Sequence, residues 1–258
     1  QGHDFKRDME GASAADPRGP RKGIDVHMHL VETPGPGGGS RSFEAGADRL
    51  VALMDRLGIE KAIVMPPPQR AGQPGGYAYE RLLPVIKSRR GRLVLGAGGG
   101  ELSPMILGTP ADAVTAAIRK ELEKKAEAIV RDGARVFGEM TILHFSFNAR
   151  HPFLQVAPDH PLFLLLADIA ARHDVPIDLH WEAVPAEMAT PEPLRRVSPN
   201  NPERVSANVP GLERLLQHNR KARIVLVHTG WDNTGFQTPD LLRRLLGRNP
   251  NLFCAFKF

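Results

Sequence analysis

A chain of 258 residues, 41% apolar and 24% charged, can bury a sizeable core as one α/β barrel or as two smaller domains. No apolar run approaches the ~20 residues of a membrane helix, so no transmembrane helix is expected. The net charge of +5 is modest, and the short basic pairs Arg89-Arg90 and Arg195-Arg196 lack the aromatic stacking partners of a nucleic-acid surface, so no nucleic-acid partner is expected.

The chain begins at Gln1, and residues 1–22 are polar, contain Gly, Pro and Ala, and have no periodicity. They read as a disordered leader, of the kind left as a tether after signal-peptide cleavage or at the edge of a piece of a longer chain. A periplasmic or secreted protein is the expectation, a cytoplasmic one the alternative. The single Cys254 excludes an internal disulfide. Nothing sets the oligomeric state, and a homo-oligomer is compatible with the sequence.

The first strand, Ile24-Asp25-Val26-His27-Met28-His29-Leu30, carries two histidines on one face, because side chains alternate along a strand. A Gly- and Pro-rich loop follows. Ser42 then caps a helix whose apolar positions are Leu50, Leu53, Met54 and Leu57 and which Gly58 stops. Lys61–Met65 is a second strand, closed by three prolines at 66–68. A helix spans Tyr79–Ser88, with Pro84 kinking or restarting it. Arg92–Gly96 is the third strand. Thr109-Pro110 reads as the N-cap and first residue of a long helix through Ile118, Leu122 and Ile129 to Gly133.

Ala134–Glu139 is the fourth strand, followed by a His- and Pro-rich connection with His144, His151 and His160. An apolar helix, Leu162–Arg172, leads to the fifth strand, Val175–Leu179, which ends at His180. Residues 183–210 read as a long loop, and connections of that length are usually functional or disordered. The helix Leu212–Asn219 precedes the sixth strand, Arg223–Val227, which ends at His228. Thr238-Pro239-Asp240 opens one more helix, and Asn251–Phe256 is the seventh strand.

Strand alternating with helix means parallel strands joined by helical crossovers. The histidines end their strands and precede the longest loops, where (β/α)8 barrels build their active sites. The expectation is therefore a TIM barrel over residues 23–258, one strand short of eight, with the eighth expected beyond Phe258. A doubly wound open sheet would want a Gly-rich turn after the first strand, and Val31-Glu32-Thr33-Pro34 stands there instead.

Two imidazoles on one strand face make half of a metal site, or merely interrupt a surface strand. His180 and His228, at the same place on their own strands, favour the first reading. Neutral imidazoles suit zinc, and a catalytic site keeps one position open for water. Together His27-x-His29, Glu139, His180 and His228 resemble the metal-dependent amidohydrolase superfamily, and more narrowly its amidohydrolase-2 group of hydrolases, lactonases and non-oxidative decarboxylases. The resemblance covers roughly residues 24–258. It implies a divalent metal, usually zinc, on His27, His29 and His180, with one metal or two. It also implies that His228 binds a second metal or touches the reacting group, and that an aspartate on strand eight, without a counterpart here, shuttles the proton.

Glu139 is open to three readings: a metal ligand, a partner of a ligating histidine or of substrate, or a bystander. Glu182 and Asp232 are candidate acceptors for liganded imidazoles. His144, just beyond Glu139, is a candidate substrate contact. Trp181 and Trp231, beside the histidines, either wall the pocket or belong to the core. His173 and His218 read as helix-surface residues. The function expected is hydrolysis of a small-molecule amide, ester or lactone by metal-activated water. Non-oxidative decarboxylation of a small aromatic or enol acid is the alternative, and a barrel that only binds a ligand is the third reading.

Overall fold

The computed structural model describes residues 23–35 and 40–256, so the leader expected over 1–22 lies outside the described residues. The strands β1 (Gly23–His29), β2 (Ile59–Met65), β3 (Leu93–Gly98), β4 (Val136–Thr141), β5 (Ile177–His180), β6 (Ile224–Thr229) and β7 (Leu252–Phe256) form one sheet in chain order. Every pairing is parallel. Each crossover thus advances by one strand, which is the winding of a TIM barrel with seven of its eight strands. Among the described residues β1 and β7 are the two edges, and they expose Ile24, Val26, Phe253 and Phe256.

Between the strands run α1 (Phe43–Leu57), α2 (Leu83–Ser88), α3 (Leu102–Gly108), α4 (Ala116–Arg131), α5 (Pro161–His173), α6 (Glu192–Val197), α7 (Val209–His218) and α8 (Pro239–Arg248). Ser42 accepts the Ala45 N–H at 3.1 Å to start α1, and Gly58 ends it at φ 70°. Such a side-chain cap contributes about 1 kcal/mol. Leu50 and Met54 face the core, while Leu53 and Leu57 stay exposed. Tyr79–Leu82 forms a 3-10 turn, and the chain restarts as α2 with Pro84 in its first turn.

Thr109-Pro110 does not start the long helix. Thr109 closes α3 by donating its hydroxyl to the Met105 carbonyl at 2.7 Å. Thr115 is the N-cap of α4, accepting from Ile118 N–H. The stretch 183–210 is not all loop either. It holds α6 and an antiparallel pair, Met188–Ala189 with Arg204–Val205.

The main core lies between sheet and helices, where Phe137, Leu179 and Leu226 of the strands join Leu122, Leu166, Leu212 and Leu215 of the helices in one buried cluster. Strands of a parallel sheet covered by helices read as near-continuous apolar runs for this reason. A smaller cluster of Leu143, Phe145, Val184, Leu194 and Val205 fastens the loop after β4 to the segment after β5. No helix among the described residues is long and apolar enough to cross a membrane.

Candidate metal centre

The sheet brings five predicted residues to one point. Glu139, 1% exposed, lies inside β4 rather than at its end, because that strand continues to Thr141. Its Oε2 is 2.8 Å from His29 Nε2 and 3.8 Å from His27 Nε2. Its Oε1 is 2.7 Å from His180 Nδ1 and 3.3 Å from His228 Nε2. The His27 ring stands 4.8 Å from His29 and 4.6 Å from His228, centre to centre.

Two backbone features allow this convergence. A Cβ on Gly138 would come within 2.8 Å of the Asp178 Cβ and 2.9 Å of the Met65 sulfur, so only glycine lets β4 close against β2 and β5 here. His228 takes φ 56°, in the left-handed region, and the β6–β7 ladder slips between Leu226 and Thr229. Irregularity of this kind re-aims a side chain, and it recurs at functional sites.

Asp178 went unremarked in the sequence, and it matters here. It is buried, and its two carboxylate oxygens lie 3.1 and 2.9 Å from His27 Nδ1. A carboxylate only accepts, so Nδ1 carries a proton, and in the neutral ring, the form that binds a metal, His27 Nε2 is left bare. That Nε2 is buried with no hydrogen-bond partner. His29 Nδ1 likewise faces the Met65 carbonyl at 3.1 Å while its Nε2 faces Glu139, two acceptors for a ring that donates once when neutral. The centre thus holds more lone pairs than protons, a donor set that fits a divalent cation. One atom each of His27, Glu139 and His228 lies within 4.8 Å of the others, close enough to share an ion.

Burial pushes the Glu139 carboxyl up, but contacts from His180, His228 and His29 outweigh it and hold the group well below the usual carboxylate range. Burial alone would lower His27, and the Asp178 carboxylate instead raises it to about 9. Burial lowers His228, against the pull of Glu139.

A pocket of about 330 Å³ opens over the cluster, lined by loops after β2, β4, β5 and β6. His144 lines it, its ring tilted against that of His180 at 4.3 Å between centres and its Nδ1 on the Phe145 carbonyl. Trp231 lines it too. Trp181 does not: it is 2% exposed, packs in the core and donates to Asn208 at 2.9 Å, the core alternative of the sequence reading. Glu182 lines the pocket, held by Asn233 and 4.0 Å from His180 Nε2. Asp232 accepts from its own loop, at Thr234, Gly235 and Gln237, instead of from an imidazole. His160 caps α5, and His173 and His218 bond to Glu127 and Asp168 on the helical shell.

No family model matches the sequence, and no curated protein does. Among solved structures, an uncharacterized TIM-barrel protein from Bordetella bronchiseptica is similar, with a TM-score of 0.52 at 13% identity over 91% of this chain and 74% of that one. A dihydroorotase from Campylobacter jejuni is matched with a TM-score of 0.47 at 12% identity, over 92% of this chain and 54% of that one. An amidohydrolase from Mycobacterium avium subsp. paratuberculosis is matched at 0.41 and 11%, over 81% and 58%. The chain has the fold of the TIM-barrel proteins, the architecture that its resemblance to the amidohydrolase superfamily implies.

Proposed function

We propose that this chain is a metal-dependent hydrolase of a small-molecule amide, ester or lactone. The observation that carries the reading is the convergence of four imidazoles on the buried Glu139, with His27 Nε2 bare and buried beside it. His27, His29 and His180 would hold the metal, with Glu139 among them as ligand or as their shared partner. Bound there, a divalent ion, zinc by the nature of the donors, supplies Lewis acidity toward water and a carbonyl.

The protein's own groups do the rest. Asp178 and the Met65 carbonyl fix the tautomers and ring directions of His27 and His29. Of the two carboxylates lining the pocket, Glu139 is committed to imidazoles, which leaves Glu182 to take and return a proton. His228 lines the pocket with its Nε2 3.3 Å from Glu139 and would steady the oxygen on which charge develops. Such a donor contributes ~3–4 kcal/mol, or roughly two to three decades in turnover.

The test begins with a panel of lactones, esters, amides and aromatic carboxylic acids. His228→Asn should lower turnover by that factor with the metal retained, whereas His180→Asn should lose metal and activity together. Loss of the metal in His228→Asn would make His228 a ligand, as its closeness to His27 and Glu139 allows. Activity seen only as release of carbon dioxide would replace hydrolysis by decarboxylation.

A further inference from the structure

Beside the metal-site pocket lies a second one of about 390 Å³, and the two share Gln73 and Pro152 in their walls. Arg70 and Arg150 line it, and among the described residues no carboxylate does. Two exposed arginines at one cavity give it a positive lining that an anion would complement. The Arg70 side chain and the backbone that carries Arg150 are both held in place. Arg70 donates to the Phe153 carbonyl at 2.5 Å, which ties the loop after β2 to the loop after β4, and its backbone N–H donates to Gln73 Oε1 at 3.1 Å.

Arg150 sits on a stretch whose carbonyls are pinned from outside. Asn200 Nδ2 donates to the Ala149 carbonyl at 3.1 Å and to the His151 carbonyl at 2.8 Å. The hydroxyls of Ser146 and Ser198, both fully buried, lie 2.8 and 3.1 Å from the Asn148 carbonyl. Asn201 holds Ser146 at both its N–H and its carbonyl, each at 2.8 Å. The exposed Asn200 and the buried Ser146, Ser198 and Asn201 thus fix a turn from 146 to 151 through its carbonyls at Asn148, Ala149 and His151, which is how a recognition loop is preorganised. The same loop presents His151 to the inner pocket. The Phe147 N–H donates to His151 Nδ1 at 3.2 Å, so the proton of that ring stands on Nε2 as a donor.

We infer that the second pocket is an anion subsite, in which Arg70 and Arg150 hold a carboxylate or phosphate of the substrate while His151 donates to an oxygen nearer the reacting group. The substrate class is then an acidic small molecule whose anionic end lies one chamber away from the bond that reacts. This rests on reading the neighbouring pocket as the reaction site, but the subsite can be measured without any reaction.

Calorimetric titration of the purified protein with inorganic phosphate in one arm and succinate in the other tests it, with succinamide as the uncharged control. At least one anion should bind where succinamide does not, and the arm that responds identifies the anion. Arg150→Ala should weaken that binding about tenfold or more, as loss of a charge-assisted contact does. Arg150→Lys should recover part of it, with the melting temperature and metal content unchanged. Arg70→Ala should act similarly, and if the lost loop tie lowers its stability, Arg150→Ala alone decides. Binding that is absent, or equally strong in wild type and Arg150→Ala, overturns the subsite even if the protein carries metal. Arginine-dependent binding by a protein that takes up no metal would keep the subsite and remove the hydrolase reading.

Discussion

At the barrel mouth, His27, His29, His180 and His228 turn ring nitrogens toward one carboxylate, Glu139, which is 1% exposed. On the helical shell, His173 and His218 each meet a separate, partly exposed carboxylate, Glu127 and Asp168. The residue types are the same, and the difference comes from the elements that carry them. Parallel strands of a curled sheet aim their carboxyl ends at one point, so side chains far apart in sequence share one buried environment. Helices around the outside aim polar side chains away from each other and into water, where an ion pair is worth little.

The sharpest way to break this contrast is to remove the carboxylate behind the cluster. Asp178→Ala leaves the His27 imidazole buried without its partner, and should cost about 3–5 kcal/mol in denaturant unfolding. The conservative Asp178→Asn should fold and weaken metal binding about 10–100-fold. A smaller effect contrasts Glu139 with Glu101, a partly buried glutamate near the same rim whose contacts include no imidazole. Burial raises the Glu101 carboxyl to about 7, although its Oε1 accepts the Tyr79 N–H at 2.8 Å. A folded-state value above the unfolded one means a contribution fully present below about pH 4.5 and lost as pH rises through about 7. Glu101→Gln should therefore match wild type in acid and exceed it at pH 8 by on the order of 2 kcal/mol, read from melts across that range. The smallest effect belongs to the shell. His218→Ala breaks a half-exposed pair and should change stability by less than about 1 kcal/mol, with metal content untouched.

Much of this was legible in the sequence, because both signals are local. Helix caps and stops at Ser42, Gly58 and Thr238 and the apolar strand runs follow from neighbouring residues, and so does the placing of each histidine at the end of its own run. Asp178 was hidden by the same logic. It sits in a run read as an apolar strand, and its partner His27 lies 151 positions away, so only the closed sheet reveals the pair. The i, i+2 spacing of Asp178 and His180 was the available signal, since it places both on one face. α3 was missed because it is short, follows a glycine run and contains Pro104, and that shifted the N-cap from Thr115 to Thr109. Trp181 and Trp231 looked alike beside their histidines. The Asn208 side chain, 27 positions away, draws Trp181 inward, and no local pattern announces it.

Elemental analysis of the purified protein after zinc reconstitution tests the central claim most directly, that the strand-end histidines form a metal centre and the helix histidines do not. About one divalent ion per chain is expected in wild type and in His173→Ala and His218→Ala, and little in His27→Ala/His29→Ala. A wild-type protein that stays metal-free, or a double variant that keeps its full content, would contradict it.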